Sequence, residues 1–402
     1  MNSLVEYLRS PTAIRDRCNQ LFELAQADKL AFFRLDLTQL DIVADYVIAV
    51  IRDQYPDLDV PFHSRWRHFE VGNIPRVQQL EQSLKALSAI EQAKAKFDLV
   101  IPSVLLDAGA GDRWKYLEAS TGQTWARSEG LAIASFDAFC QGAFSSHAFQ
   151  TDAAGLKQVT PETIATLLQV TPENSLVGLE GRSHLLQKLG DTIEHSPDLF
   201  GNPARPGNLV DYLVRYADQG KLSAVTVLNA VLSGLGEIWS GRLSIEGTNL
   251  GDVWHHSALP GEWTDQLIPF HKLSQWLTYS LLEPLQALGI TITDLDQMTG
   301  LPEYRNGGLC LDLGLLQLKD PQLAAIPHSP DSELIVEWRA LTVCLLDRIA
   351  AVIRTKLNLT PDALPLVKVL QGGTWTAGRK IAASLRPGGT PPIQISSDGT
   401  VF

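Results

Sequence analysis

The sequence predicts a mainly helical protein, and three observations carry that reading. From Glu333 to Arg354 the sequence is apolar almost all round a helix, the pattern of a helix buried on most sides. From His271 to Leu285, Leu273, Leu277 and Leu281 fall on one face, while Lys272, Gln275 and Tyr279 share another. Few segments alternate strictly between apolar and polar residues, and no regular succession of strands and helices suggests a parallel sheet. Well over half of the ordered residues are therefore expected in helices.

The 402 residues suit one large or two ordinary domains, and 45% hydrophobic against 19% charged residues is a globular balance. Basic residues number 33 against 45 acidic, a net charge of −12, with no basic run to follow a phosphate backbone. Polymeric nucleic acid is not an expected partner. Cys18, Cys140, Cys310 and Cys344 are scattered in mostly apolar surroundings without a CxxC pair, so they read as reduced core thiols of a cytoplasmic protein. The opening residues include Glu6, Arg9, Arg15 and Asp16 rather than an apolar leader, and no later segment reaches about eighteen uninterrupted apolar residues. Neither secretion nor membrane insertion is expected.

Taken in order, residues 3 to 54 read as amphipathic helices, with Leu30, Phe33, Leu35, Leu37, Leu40 and Val43 at mixed helical spacing and Tyr55-Pro56 closing the run. Val60 to Glu70 interleaves His63, Ser64, Arg65, Arg67, His68 and Glu70 with Phe62, Trp66 and Phe69. Burying those aromatics draws their polar neighbours toward the core, so a pocket fits this stretch better than a basic surface loop. The apolar run Phe97 to Leu106 ends in Asp107 and two glycines, Gly109 and Gly111. The third glycine of a dinucleotide fingerprint is missing, and close packing explains the two present. Arg127-Ser-Glu129 precedes the small residues Ala132, Ala134 and Ser135, which suit tight helix packing. Thr160-Pro-Glu and Thr171-Pro-Glu both read as helix starts, and Gly201 to Gly207 is the best candidate for a linker or long surface loop. A division near residue 150 gives an N-terminal helical lobe, 1–150, and a second helical lobe, 151–402, expected to form one compact unit. The apolar ending Ser397 to Phe402 reads as docked, placing Asp398 indoors.

The densest chemistry lies in Gly300 to Gly308, where Glu303, Tyr304, Arg305 and Asn306 are consecutive. Pro302 biases Leu301 away from helical geometry, and Gly307-Gly308 permits unusual backbone, so the quartet reads as a constrained turn leading into apolar Leu309 to Leu316. A buried Glu303 needs a partner or a proton. The turn is either a working site or a loop fixed by a Glu303–Arg305 salt bridge, and Glu337 and Arg339 on the buried helix pose the same choice. His63, His68, His255, His256 and His271 raise the question of metal, but their spacings match no ligand pair on one helix face, so no metal or cofactor is expected.

Several segments together give a resemblance: Pro61 to Phe69, Leu105 to Gly111, Arg127 to Leu131, Pro269 to Tyr279, Gly300 to Gly308, Glu337 to Thr342, Gly372 to Trp375 and Ser397 to Phe402. The chain closely resembles the uracil catabolism protein 4 family over nearly its whole length. The resemblance implies a role in pyrimidine breakdown alongside a uracil phosphoribosyltransferase and a cyclohydrolase-like ring-opening enzyme, in a route that releases urea. The last two-thirds are also similar to the queuosine salvage proteins, through Leu176 to Gly190, Phe270 to Gln275, Leu301 to Asp320 and Glu337 to Ala340. That likeness implies a helical core of the DNA-glycosylase type, in the helix-hairpin-helix superfamily, with an N-terminal helical extension, and hydrolysis of an N-glycosidic bond in a nucleoside 5′-monophosphate. Where those enzymes carry an aspartate in the turn, this chain has Glu303, which leaves the identity of the base open.

Such a reaction passes through an oxocarbenium-like state and needs a carboxylate at the anomeric carbon, for which Glu303 stands first and Asp398 second. Lys272 and Arg305 suit a 5′-phosphate, with Tyr304 and Gln275 adding neutral hydrogen bonds. Trp66, Trp114 and Trp276 are candidate walls for the base end, and His63, His68, Asp107 and Glu129 candidate readers or proton donors. Arg65, Arg67, His271, Glu337 and Arg339 complete the expected substrate-binding set. The leading expectation is hydrolysis of ribosylurea or its 5′-phosphate to urea and a pentose. A metal-dependent amidohydrolase and a non-catalytic partner of the ring-opening enzyme are the alternatives.

Overall fold

Helix Glu333–Leu357 is the longest element of the computed structural model, and Leu334, Val336, Leu341, Leu345, Ile349 and Ile353 are among its buried residues. It stops where Asn358 enters the left-handed region at φ 54, a conformation that asparagine tolerates. Helices Pro11–Gln26 and Leu40–Gln54 pack against it, the former capped by Ser10, whose hydroxyl accepts the Ala13 amide. The structure describes residues 3–107, 109–111, 113–239 and 242–396. It is 59% helical and 8% strand, and the described strands form only two-stranded ladders.

Two compact units result, each assembled from segments distant in sequence. Residues 3–63, 242–275 and 294–396 form the first, and residues 64–239 and 276–293 form the second. Helix Lys272–Ala287 starts in the first unit and continues in the second. No described helix is long and apolar enough to cross a membrane.

In the first unit the region expected to be helical up to Tyr55 is interrupted. Phe33–Leu35 is a strand paired antiparallel with Leu316–Leu318. Its apolar spacing imitates a helix, but Glu337 on the long helix accepts the amides of Phe32 and Phe33, and the Phe32 carbonyl accepts Lys319 N, so the backbone is committed elsewhere.

In the second unit Thr160 caps helix Pro161–Leu167, as its sequence predicts. Thr171-Pro-Glu does not start a helix: the next one begins at Leu179, after the left-handed Gly178. Asn174 holds the intervening chain, with its side-chain nitrogen donating to Lys115 O and Gln169 O. Gly201 to Gly207 is anchored rather than a linker, because Asp98 accepts both the Arg205 guanidinium and the Gly207 amide, and Pro206 and Gly207 are buried.

A buried ion pair, Arg76 with Glu118, fastens this unit through two contacts of 2.6 Å. Burial pushes the Glu118 carboxyl up, but Arg76, Thr121 and Trp125 outweigh it and hold it at about 2. A carboxylate lowered from its ordinary value contributes stability above that value and loses it as pH falls toward the folded-state value. The stability gap between the parent and Glu118→Gln should therefore be full at neutral pH and shrink as pH falls from 4.5 toward about 2. Urea titrations of both proteins across that window check it, and a constant gap would contradict the pairing.

Candidate functional site

In the first unit the chemistry is built on Asp252, which precedes a hairpin pairing Val253–His255 with Leu267–Pro269. The Asp252 carbonyl accepts the Phe270 amide, and its carboxylate accepts the Lys272 amide at 3.0 Å and the Trp254 indole N–H at 2.6 Å. Arg339 reaches the same carboxylate through two bonds of 2.8 Å, and its Nε donates to Pro302 O. Burial raises the Asp252 carboxyl, but Arg339, Trp254 and the Lys272 amide hold it well below the usual carboxylate range. Arg339, with its guanidinium 4.1 Å from the Phe270 ring centre, thus ties the long helix to the start of helix Lys272–Ala287 and to the Pro302 turn.

The quartet expected on a constrained turn is the start of a helix: Glu303 is the N-cap of helix Tyr304–Asp312. Its two carboxylate oxygens accept the Arg305 and Asn306 amides at 2.6 Å each. Burial raises its pKa, while those two N–H groups, Lys272 and Arg305 pull it back. Arg305 donates to Gly389 O at 2.7 Å and lies over the Tyr304 ring. Gly307 and Gly308 are helical, and their use is proximity: a Cβ on Gly307 would stand 2.7 Å from Trp338 Nε1. Gln275, fully buried, pins this assembly by exchanging hydrogen bonds with Thr299 and donating to Phe270 O. It does not share an open ligand-facing side with Lys272, because its amide is used in the core.

Two further predicted residues serve the backbone. His271, at φ 47, donates from Nε2 to Leu8 O, and burial lowers its pKa. Glu337 holds the Phe32 and Phe33 amides and faces His256 at 3.6 Å, so Glu337 and Arg339 are both paired, but not with each other. His63 is buried, with Nδ1 2.9 Å from Gln371 Oε1 and its ring 5.6 Å from that of Trp375. Trp375 opens helix Trp375–Leu385, which packs along Tyr304–Asp312.

The second unit gathers another group. Arg65 is fully buried and meets Asp107 at 3.0 Å, Ser103 at 2.8 Å and Ser128 at 3.3 Å. Its guanidinium lies over the Trp276 ring, which His68 approaches edge-on. Burial lowers the Arg65 pKa, opposed by Asp107 and by Glu129 in the first turn of helix Arg127–Cys140. Burial also brings Arg182 down to about 10, opposed by Asp107. Arg67 turns to Glu283 at 2.9 Å, and Trp114 is a core residue whose indole donates to Leu168 O. Trp66 is likewise buried, its indole bonded to Ser280 O. Asp398 lies outside the described residues.

The model of a family described as "Protein of unknown function (DUF1688)" matches residues 7–402. The chain belongs to the DUF1688 family. It is 40% identical over 409 residues to Protein urg3 of Schizosaccharomyces pombe, covering 99% of each chain. It is 38% identical over 436 residues to Uracil catabolism protein 4 of Lachancea kluyveri, again covering 99% of each.

The first unit of this DUF1688 protein thus brings Lys272, Gln275, Glu303, Tyr304, Arg305 and Arg339 around one capped helix. Its second unit gathers Arg65, His68, Asp107, Glu129 and Trp276. Sequence reasoning passes over Asp252, whose partner Arg339 lies 87 positions away, and Gln371, 308 positions from His63. The apolar neighbours Val253 and Trp254 are the only local sign that Asp252 is drawn inward.

Proposed function

We propose that the protein is an enzyme of pyrimidine catabolism that hydrolyses the N-glycosidic bond of ribosylurea or its 5′-phosphate, giving urea and a pentose or pentose phosphate. A relative matched over almost all of both chains is named for uracil catabolism, which supports the pathway. The observation that carries the chemistry is Glu303, a buried carboxylate clamped by two amides at 2.6 Å with Lys272 adding positive charge nearby.

As the C1′–N bond breaks, its electron pair leaves with nitrogen and positive charge builds on C1′. A carboxylate already fixed in place stabilises that charge, or takes the proton of the attacking water, without reorganising at the moment of reaction. The cap bonds provide the fixation, and the helix N-terminus with Lys272 favours the ionised form. Water gives its oxygen to C1′, and the urea nitrogen takes a proton from an acid. The mainly helical build is compatible with the glycosylase-like core that the queuosine salvage resemblance implies.

Incubation of the purified protein with ribosylurea and with its 5′-phosphate tests the proposal. Free urea and reducing sugar are the expected products; no turnover of either compound, or release of ammonia instead, would overturn it. Lys272→Met should raise KM for the phosphorylated compound about 30-fold, a loss of about 2 kcal/mol of charge-assisted bonding, and leave KM for the free riboside near the parent's, while kcat falls on both compounds because Glu303 loses a neighbouring positive charge. An equal change in KM on both compounds would take phosphate binding away from Lys272 and leave it only its charge at Glu303.

A further inference from the structure

We infer that Asp252 is a positioning residue for the proposed hydrolysis: its carboxylate braces the start of helix Lys272–Ala287 against the Pro302 turn, and so holds Lys272 where its charge acts on Glu303. The inference rests on the glycosidase reading above. One end of the brace is backbone. Helix Lys272–Ala287 starts directly after His271, which stands at φ 47, outside helical geometry. The Lys272 amide, the first of the helix, is accepted at 3.0 Å by Asp252 Oδ2, from 20 positions earlier in the chain, and the Asp252 carbonyl accepts the Phe270 amide at 2.9 Å. The main chain and the side chain of one residue thus seat the segment that carries Lys272.

The other end is a fork. Arg339 Nη1 and Nη2 meet Asp252 Oδ1 and Oδ2 at 2.8 Å each, and this bidentate pairing fixes the guanidinium plane. Nε is then left to donate to Pro302 O at 3.3 Å, one residue before Glu303. With Trp254 on Oδ1 and the Lys272 amide on Oδ2, each carboxylate oxygen accepts two protein donors. A carboxamide has one oxygen, and its NH2 group would face two of those donors. Asp252→Asn therefore gives up either the Lys272 amide or the Trp254 indole, and one nitrogen of the Arg339 fork in both cases.

Lys272 and Arg305 are the cations that favour the ionised form of Glu303, and Arg305 belongs to the helix that Glu303 caps. Of the helices packed on Tyr304–Asp312, Glu333–Leu357 brings Arg339 to the Pro302 carbonyl, and Trp375–Leu385 carries Arg379 over the Trp375 ring. Lys272 is the cation whose seating depends on Asp252. Asp252 itself is held well below the usual carboxylate range by Arg339, Trp254 and the Lys272 amide, which outweigh its burial, so it stays ionised while Glu303 titrates.

The charge of Asp252 and its brace act on Glu303 in opposite directions, so the two are told apart by sign. Neutralising a carboxylate near Glu303 lowers its titration, whereas letting Lys272 drift raises it. ¹³C NMR of the full chain carrying carboxyl-labelled glutamate, with Glu303 assigned by its loss in Glu303→Gln, reads that titration without turnover. Asp252→Asn should move the midpoint up by about half a pH unit or more, and the acid limb of kcat/KM on ribosylurea should move with it. In a Lys272→Met background the same replacement should add no upward move. If Asp252→Asn does not fold, Arg339→Lys takes its place, because it keeps the charge but loses the fork, and it should raise the midpoint too. A midpoint that stays or falls, an upward move of equal size in both backgrounds, or a kcat/KM lowered by the same factor at every pH overturns this inference alone. A wild type that turns over neither ribosylurea nor its 5′-phosphate overturns the glycosidase reading beneath it.

Discussion

Arg339→Met is expected to destabilise the protein by about 3–5 kcal/mol, because it breaks a buried ion pair from one side. The Arg339 side chain is 1% exposed and that of Asp252 16%, so removing the guanidinium strands a largely desolvated carboxylate. Asp252 would keep the Trp254 and Lys272 donors but lose the two bonds that neutralise it. The Pro302 carbonyl would also lose its contact with Arg339 Nε, loosening the turn that presents Glu303. The urea midpoint should therefore fall, and activity should fall with it. A double replacement, Arg339→Met with Asp252→Leu, should recover part of the lost stability, since an apolar pair avoids the stranded charge. Arg339→Met with the parent's midpoint would show that the pair contributes nothing to holding this site.

The contrast between what the sequence discloses and what the structure adds follows from where each constraint acts. Helix Glu333–Leu357 is readable because it is apolar almost all round and nothing inside it breaks a helix. Helix Tyr304–Asp312 is hidden: glutamate is not among the favoured capping residues, and two adjacent glycines argue against a helix on propensity. Packing overrides both signals, because the glycines let the helix lie against Trp338. The polar residues Glu303, Arg305 and Lys272 are conspicuous by composition, whereas the roles of Gln275, Glu337 and Arg339 depend on partners that only the fold supplies. Gln275 looks ligand-facing in a helical projection, yet Thr299 and Phe270 take its amide. Gln371 gives no local signal, since the π-helical turn that carries it, Leu370–Thr374, is produced by the seating of Gly372 and Gly373 on other segments.

Glu303→Gln carries the largest expected effect on function. Glutamine keeps the length of the side chain, but its NH2 group cannot accept one of the two amides that the carboxylate now holds. The expected stability loss is about 1 kcal/mol, the cost of a weakened cap. The chemical loss should be far larger, because the carboxylate's charge is used mainly in the transition state. The pH profile offers a second reading of the same group. Burial raises the Glu303 carboxyl from its ordinary value, and only its ionised form can stabilise C1′ or take a proton from water. Activity should therefore rise with pH through that raised value, placing the acid limb of kcat/KM higher than an exposed glutamate would.

The most direct measurement compares kcat and KM of the parent and Glu303→Gln on ribosylurea, with urea release as the readout. A drop in kcat of about a hundredfold or more, with KM near the parent's and a folded, slightly less stable protein, is the predicted result. Near-native kcat in a destabilised Glu303→Gln protein would contradict the account and reduce Glu303 to a helix cap.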